Sequence, residues 1–174
     1  SSQHGLLAFM IEPAASRLVS IDPATAEATA IGSALDFREI RGAVFDANGN
    51  LLAIDSANNE MVVVDPSGGA ILCPPTPLTL GGQPYDLHFA CDLALQVSGR
   101  LVLSAYDEQQ QFQRVLEVDA TSGEMLEIGR GGSAVFTGIT FADGSPLGRM
   151  LALDATGPDD VFACNANNAF SQTL

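Results

Sequence analysis

Three short stretches of this sequence hold residues whose type and spacing suit chemistry. Asp86 and His88 stand two apart in Pro84-Tyr85-Asp86-Leu87-His88-Phe89-Ala90, a segment that reads as a strand, so both side chains are expected on one face. A carboxylate beside an imidazole serves as an acid–base pair or as two metal ligands. The alternative is a capping Asp with a hydrogen-bonded His that lines an inner channel. Asp46-Ala47-Asn48-Gly49-Asn50 opens like a calcium loop, with oxygen donors at Asp46, Asn48 and Asn50, but lacks the later bidentate Glu of that loop. Asn-Gly after a strand is equally a hairpin turn. Asp154 to Asp160 sets Asp154, Asp159 and Asp160 around Gly157-Pro158, a cation site or an exposed acidic turn. No cofactor is expected, and Ca2+ is the one ion these turns would take.

Other chemistries are closed off. All seven cationic side chains are arginine, so Schiff-base catalysis and a phosphate-loop lysine are excluded. There is no Gly-x-Ser-x-Gly elbow and no Asn-x-Ser/Thr sequon. Cys73, Cys91 and Cys164 show no metal-ligand spacing. A Cys73–Cys91 bridge is one reading, and three small buried apolar residues is the other. With 21 acidic residues the net charge is −14, which repels a phosphate backbone and argues against nucleic acid as a partner. The longest apolar runs, such as Leu6 to Ile11, fall far short of the roughly 20 residues a membrane helix needs. The acidic balance suits an extracellular, periplasmic or cell-surface setting. The first residue is Ser1 rather than Met, so the sequence is read as processed or excerpted.

The elements that position these residues come from an internal repeat. Ile40-Arg41-Gly42-Ala43-Val44-Phe45-Asp46, Pro84 to Ala90, and Phe136-Thr137-Gly138-Ile139-Thr140-Phe141-Ala142 superimpose as first strands. Second strands follow at Leu51 to Asp55, Leu101 to Ser104 and Met150 to Asp154, and third strands at Met61 to Asp65, Val115 to Asp119 and Val161 to Cys164. Asp65-Pro66-Ser67-Gly68 and Asp119-Ala120-Thr121-Ser122-Gly123 then turn the chain into a fourth strand. An earlier copy, Arg17 to Asp22 and Ala28 to Gly32, begins with Leu6-Leu7-Ala8-Phe9 as a second strand and so has no first strand. Phe45, Phe89 and Phe141 recur at one position and are read as packing between repeats.

The expected fold is therefore all-β: one domain, a propeller-like array of about four four-stranded antiparallel blades at approximately 1–39, 40–83, 84–135 and 136–174. The first blade lacks its innermost strand. An open array leaves an edge and an apolar face exposed, so the ring is expected to be completed by a second copy, another chain, or further sequence beyond these residues.

The stretch from Ile40 to Gly69, IRGAVFDANGNLLAIDSANNEMVVVDPSGG, resembles the NHL repeat, and departs from it at Glu60, where that family usually has arginine. LVSIDPATAEATAIG is similar to repeats of bacterial surface propellers. The wider superfamily includes gluconolactonase-like enzymes, and the resemblance implies a ligand near the axis at the entrances of the inner strands. Arg41, Tyr85, Asp86, His88 and Thr137 would stand there. Two functions follow as expectations: a non-enzymatic binding or self-assembly module, or a metal-assisted hydrolase or lactonase with Asp86 and His88 in its site.

Overall fold

The computed structural model describes residues 6–12, 15–35, 37, 39–87, 91–131, 135–141, 149–154, 161–165 and 171–173. Every regular element among them is a strand. The first sheet runs β1 (Leu6–Glu12), β2 (Ala15–Ile21), β3 (Ala28–Ala30), and the second β4 (Ile40–Phe45), β5 (Leu51–Asp55), β6 (Glu60–Val64), β7 (Thr76–Pro77). A small hairpin follows, β8 (Thr79–Leu80) and β9 (Gln83–Pro84). The third sheet is built on β10 (Cys91–Leu95), β11 (Leu101–Asp107), β12 (Phe112–Val118) and β13 (Glu124–Gly131). The fourth is β14 (Phe136–Phe141), β15 (Arg149–Asp154), β16 (Val161–Asn165) and β17 (Ser171–Thr173). Within each sheet these strands pair antiparallel in chain order.

Alternation along the strands explains how the sheets stack. In β5, Leu51 and Ala53 pack toward Leu18, Phe37 and the half-buried Leu7 and Phe9 of the first sheet region. Leu52 and Ile54 point the other way, onto Leu93, Leu101, Leu103 and Leu116 of the third sheet. Val102 of β11 in turn faces Phe136 and Ile139 of the fourth. Each central sheet is thus buried on both faces, which is why its strands read as nearly unbroken apolar runs. A fully buried side chain such as Ile54 or Leu103 contributes about 1.5–3 kcal/mol. The innermost strands β4, β10 and β14 come side by side at one edge of the stack, because β10 packs on both of the others.

Two expectations need correction. The innermost strand of the third sheet is Cys91–Leu95 and not the segment from Pro84 to Ala90. Ala43 pairs with Ala53, Leu93 with Leu103 and Ile139 with Ala152, so Asp92 is the residue aligned with Gly42 and Gly138, six positions beyond Asp86. The displacement has a physical source in the β8–β9 hairpin, which lengthens the connection from the second to the third sheet. Its turn is Gly81-Gly82, both at positive φ (60° and 71°), as a tight two-residue hairpin requires. β8 then pairs parallel to β13, giving the third sheet six strands where four were expected.

The first sheet holds three strands, and among the described residues β1 pairs with β2 alone. Cys73 is exposed and Cys91 buried, and both are free thiols. The Cys73–Cys91 bridge is therefore absent: one residue lies in the connection outside β6, the other starts an innermost strand. Burial pushes the Cys91 thiol up to about 12, despite Arg41 nearby. Among the described residues no helix is long and apolar enough to cross a membrane.

Candidate functional site

The turns at one end of the stack are held by aspartates that cap their own backbone. Asp46 Oδ1 accepts the amides of Asn48 and Asn50, both at 2.8 Å, and Oδ2 accepts the Asn50 side-chain amide at 3.2 Å. Asp65 accepts Ser67 N–H at 2.9 Å, and Asp22 accepts Ala24 N–H at 2.8 Å, in the same manner. Asp46, Asn48 and Asn50 are thus tied together as a capped turn. Among the described residues no group of three or more His, Cys, Asp or Glu side chains is placed to hold a metal ion.

At the opposite end, where the innermost strands begin, the sequence candidates fall into separate places. Asp86 lies outside any strand and is exposed; its Oδ1 accepts the Asn59 side-chain amide at 3.3 Å. Asn59, at φ 56° in the β5–β6 turn, also accepts the Leu87 amide at 2.6 Å. Among the described residues Asp86 belongs to no strand, and His88 lies outside them. Tyr85 is half-buried against the core between the second and third sheets, and burial pushes its hydroxyl up to about 12. Arg41 is exposed on β4 and pairs with Glu39 at 3.3 Å. It also borders a cavity of about 360 Å3 between β1 and β4, lined by Leu7, Phe9, Leu18 and Gly42.

Thr137 lies where β14 shifts register between Phe136 and Gly138. Asp154 pairs with Phe136 as Asp55 pairs with Ile40, at the equivalent backbone position. Asp55 is buried and accepts the amides of Glu39 (3.3 Å) and Ala57 (3.0 Å) and the side chain of Asn58 (2.7 Å). Asp159 lies outside the described residues.

Two groups that the sequence reading passed over carry more of the local electrostatics. Asp92 sits among the innermost strands and lines a groove of about 310 Å3 between β4, β10 and β14. Its Oδ2 accepts the Ile139 amide and its Oδ1 the Leu93 amide, each at 2.8 Å. Burial nevertheless outweighs those two donors and raises its pKa. The signal was Ser98-Gly99, which repeats Asn48-Gly49 of the preceding hairpin with the same turn hydrogen bonds. The second group is Arg114. Its Nε and Nη2 donate to Asp107 Oδ2 at 3.0 and 2.7 Å, its Nη1 donates to Glu127, and Arg130 also donates to Glu127. Arg114 and Arg130 both stand over the Phe112 ring, 5.0 and 4.5 Å from its centre. Burial favours neutral Asp107, but the Arg114 guanidinium holds it below the usual range. This cluster braces three strands and leaves no free nucleophile.

Solved structures share the arrangement. PQQ-bound aldose sugar dehydrogenase from Streptomyces coelicolor superimposes with a TM-score of 0.64 at 15% identity, over 99% of this chain and 63% of that one. The fold is of the β-propeller type. Virginiamycin B lyase from Staphylococcus aureus, solved with quinupristin, gives 0.57 at 11% identity, over 100% of this chain and 56% of that one. A chain of the nidogen/laminin complex gives 0.60 at 15%, over 92% and 56%. At these identities the likeness concerns the propeller fold, and the chain spans 56–63% of these neighbours' lengths. No protein-family model and no curated protein sequence matches this chain.

Proposed function

We propose that this propeller chain is a non-enzymatic binding or self-assembly module, exported or surface-associated, that adds a further strand at β1. One observation carries the reading. β1 occupies the inner edge of a three-stranded blade and pairs on one side among the described residues, while Leu6, Met10 and Ile11 are 52%, 43% and 47% exposed. An apolar strand edge with no lysine or proline to guard it is a template for another strand. The cavity between β1 and β4 lies beside that edge and would receive the added strand's side chains.

One further fact supports a module over a metal-assisted hydrolase: Asp86 is exposed outside any strand and accepts the Asn59 side-chain amide. Light scattering tests the reading. The chain is expected to run above its 18.1 kDa monomer mass, and Met10→Lys, which guards the edge with a charge, is expected to return it to that mass. A wild-type chain that stays monomeric at high concentration contradicts it.

A further inference from the structure

The second and third blades enclose an apolar cleft of about 770 Å3 at the end that carries the aspartate-capped turns. Its floor is Leu52, Leu95, Leu101, Val118 and Met125, the outer margin of the main core, and Leu126, 65% exposed, stands at its lip. The volume lies in the range of sites that hold ligands, roughly 300–1,000 Å3.

The rim decides what suits that floor. Asp46, Glu117, Asp119 and Glu124 stand around it against one guanidinium, that of Arg100. Each carboxylate is fixed in place. Asp46 is held by its turn amides, and Asp119 accepts Thr121 N–H at 2.8 Å and Ser122 N–H at 3.2 Å. Glu124 accepts the Thr79 hydroxyl and the Gly82 amide, while Glu117 binds Arg100 at 2.6 Å. Backbone and hydroxyl donors orient an anion without neutralising it, so the rim keeps excess negative charge beside a low-dielectric floor, where a cation is attracted more strongly than in open water. The Thr79 hydroxyl holds Glu124 below the usual carboxylate range, the Thr121 amide does the same for Asp119, and Arg100 for Glu117. Glu117, Asp119 and Glu124 therefore stay ionised further into acid than ordinary carboxylates.

We propose that this cleft docks a segment of a partner protein in which arginine or lysine is flanked by large apolar side chains. The apolar groups cover the Leu52–Leu95–Met125 floor and the cation meets the carboxylate rim. A purely basic tail would leave the floor wet, and an acidic or phosphorylated segment would be repelled. The net charge of −14 steers a basic partner toward the chain. The inference rests on the binding-module reading but uses a surface apart from β1.

Fluorescence anisotropy with a labelled nine-residue peptide of alternating leucine and arginine tests it. The wild-type chain is expected to bind this probe, to bind a serine–arginine version at least about tenfold more weakly, and to ignore a leucine–glutamate version. Leu126→Lys, at the lip, is expected to weaken binding about tenfold, whereas Leu72→Lys, the same change at a 51% exposed site outside the cleft, leaves it unchanged. Circular dichroism confirms that both variants are folded. Failure of the wild-type chain to bind, equal loss in the two variants, or equal binding of the serine peptide overturns the proposal. Light scattering on the same samples separates the two readings: a chain that associates yet ignores the probe loses only the cleft, and a monomer that binds it loses only the added strand at β1.

Discussion

The Asp92 carboxylate reaches from the innermost strand of the third blade to the backbone N–H of Ile139 in the fourth, 2.8 Å away. The contact exists because β14 slips register between Phe136 and Gly138, which turns an amide toward the neighbouring blade. On the other side β10 meets Gly42, where an added Cβ would lie 2.6 Å from Leu93 N and 2.8 Å from Asp92 Oδ1. Glycine at that position and a carboxylate at its neighbour's let three innermost strands close up around the axis.

Asp92 makes this junction pH-dependent. An unfolded Asp titrates near 3.8, and burial raises the native value despite the Ile139 and Leu93 amides. Below 3.8 the group is protonated in both states and its contribution is complete; as pH rises through the native value, the fold must hold a half-buried anion and that contribution is lost. Asp92→Asn does not titrate. Urea unfolding at roughly pH 4 and pH 7 should show wild-type stability falling relative to Asp92→Asn on going to the higher pH. A constant difference contradicts this.

Gly42→Ala should destabilise by about 1–3 kcal/mol, because its methyl meets backbone rather than a mobile side chain. Thermal unfolding would read this as a fall of several degrees, at about 2–4 °C per kcal/mol for a chain this size. An unchanged midpoint would show that the innermost strands are not in close contact.

How much of this was legible beforehand follows from local chemistry. β5, β6 and β11 were plain because Leu51 to Asp55, Met61 to Val64 and Leu101 to Ser104 are apolar runs closed by turn residues. That β1 pairs on one side only among the described residues was also readable, from the spacing of Leu6 to Arg41. The innermost strand of the third blade was not, since its Gly is replaced by Asp92 and a hairpin rich in Pro and Gly precedes it, so spacing alone matched Asp86 to Gly42. Arg114 was missed for another reason: its partners Asp107 and Glu127 lie on different strands, and only the sheet brings them together.

Ala26 offers a gain in stability. It sits at φ 59° in the turn after Asp22, where the equivalent turns place Gly69 and Gly123 at φ 68° and 73°. A side chain in that region costs about 1–2 kcal/mol, so Ala26→Gly should stabilise the fold by up to about 1 kcal/mol after the entropy of glycine is counted. A denaturant midpoint that falls would contradict the turn geometry.

Arg114→Ala leaves Asp107 and Glu127, both mostly shielded, without their shared cation. The expected loss is about 2–3 kcal/mol, little relieved by salt. A loss that vanishes in high salt would mark the cluster as a solvent-screened surface pair instead.

Hydrogen exchange across Leu6–Glu12 tests the open edge most directly, followed as a function of protein concentration. The account predicts that protection of β1 rises as the chain associates, while the buried amides of β11 stay protected throughout, and that Met10→Lys removes the rise. Equal protection of β1 in dilute and concentrated samples, with no change in Met10→Lys, would contradict it.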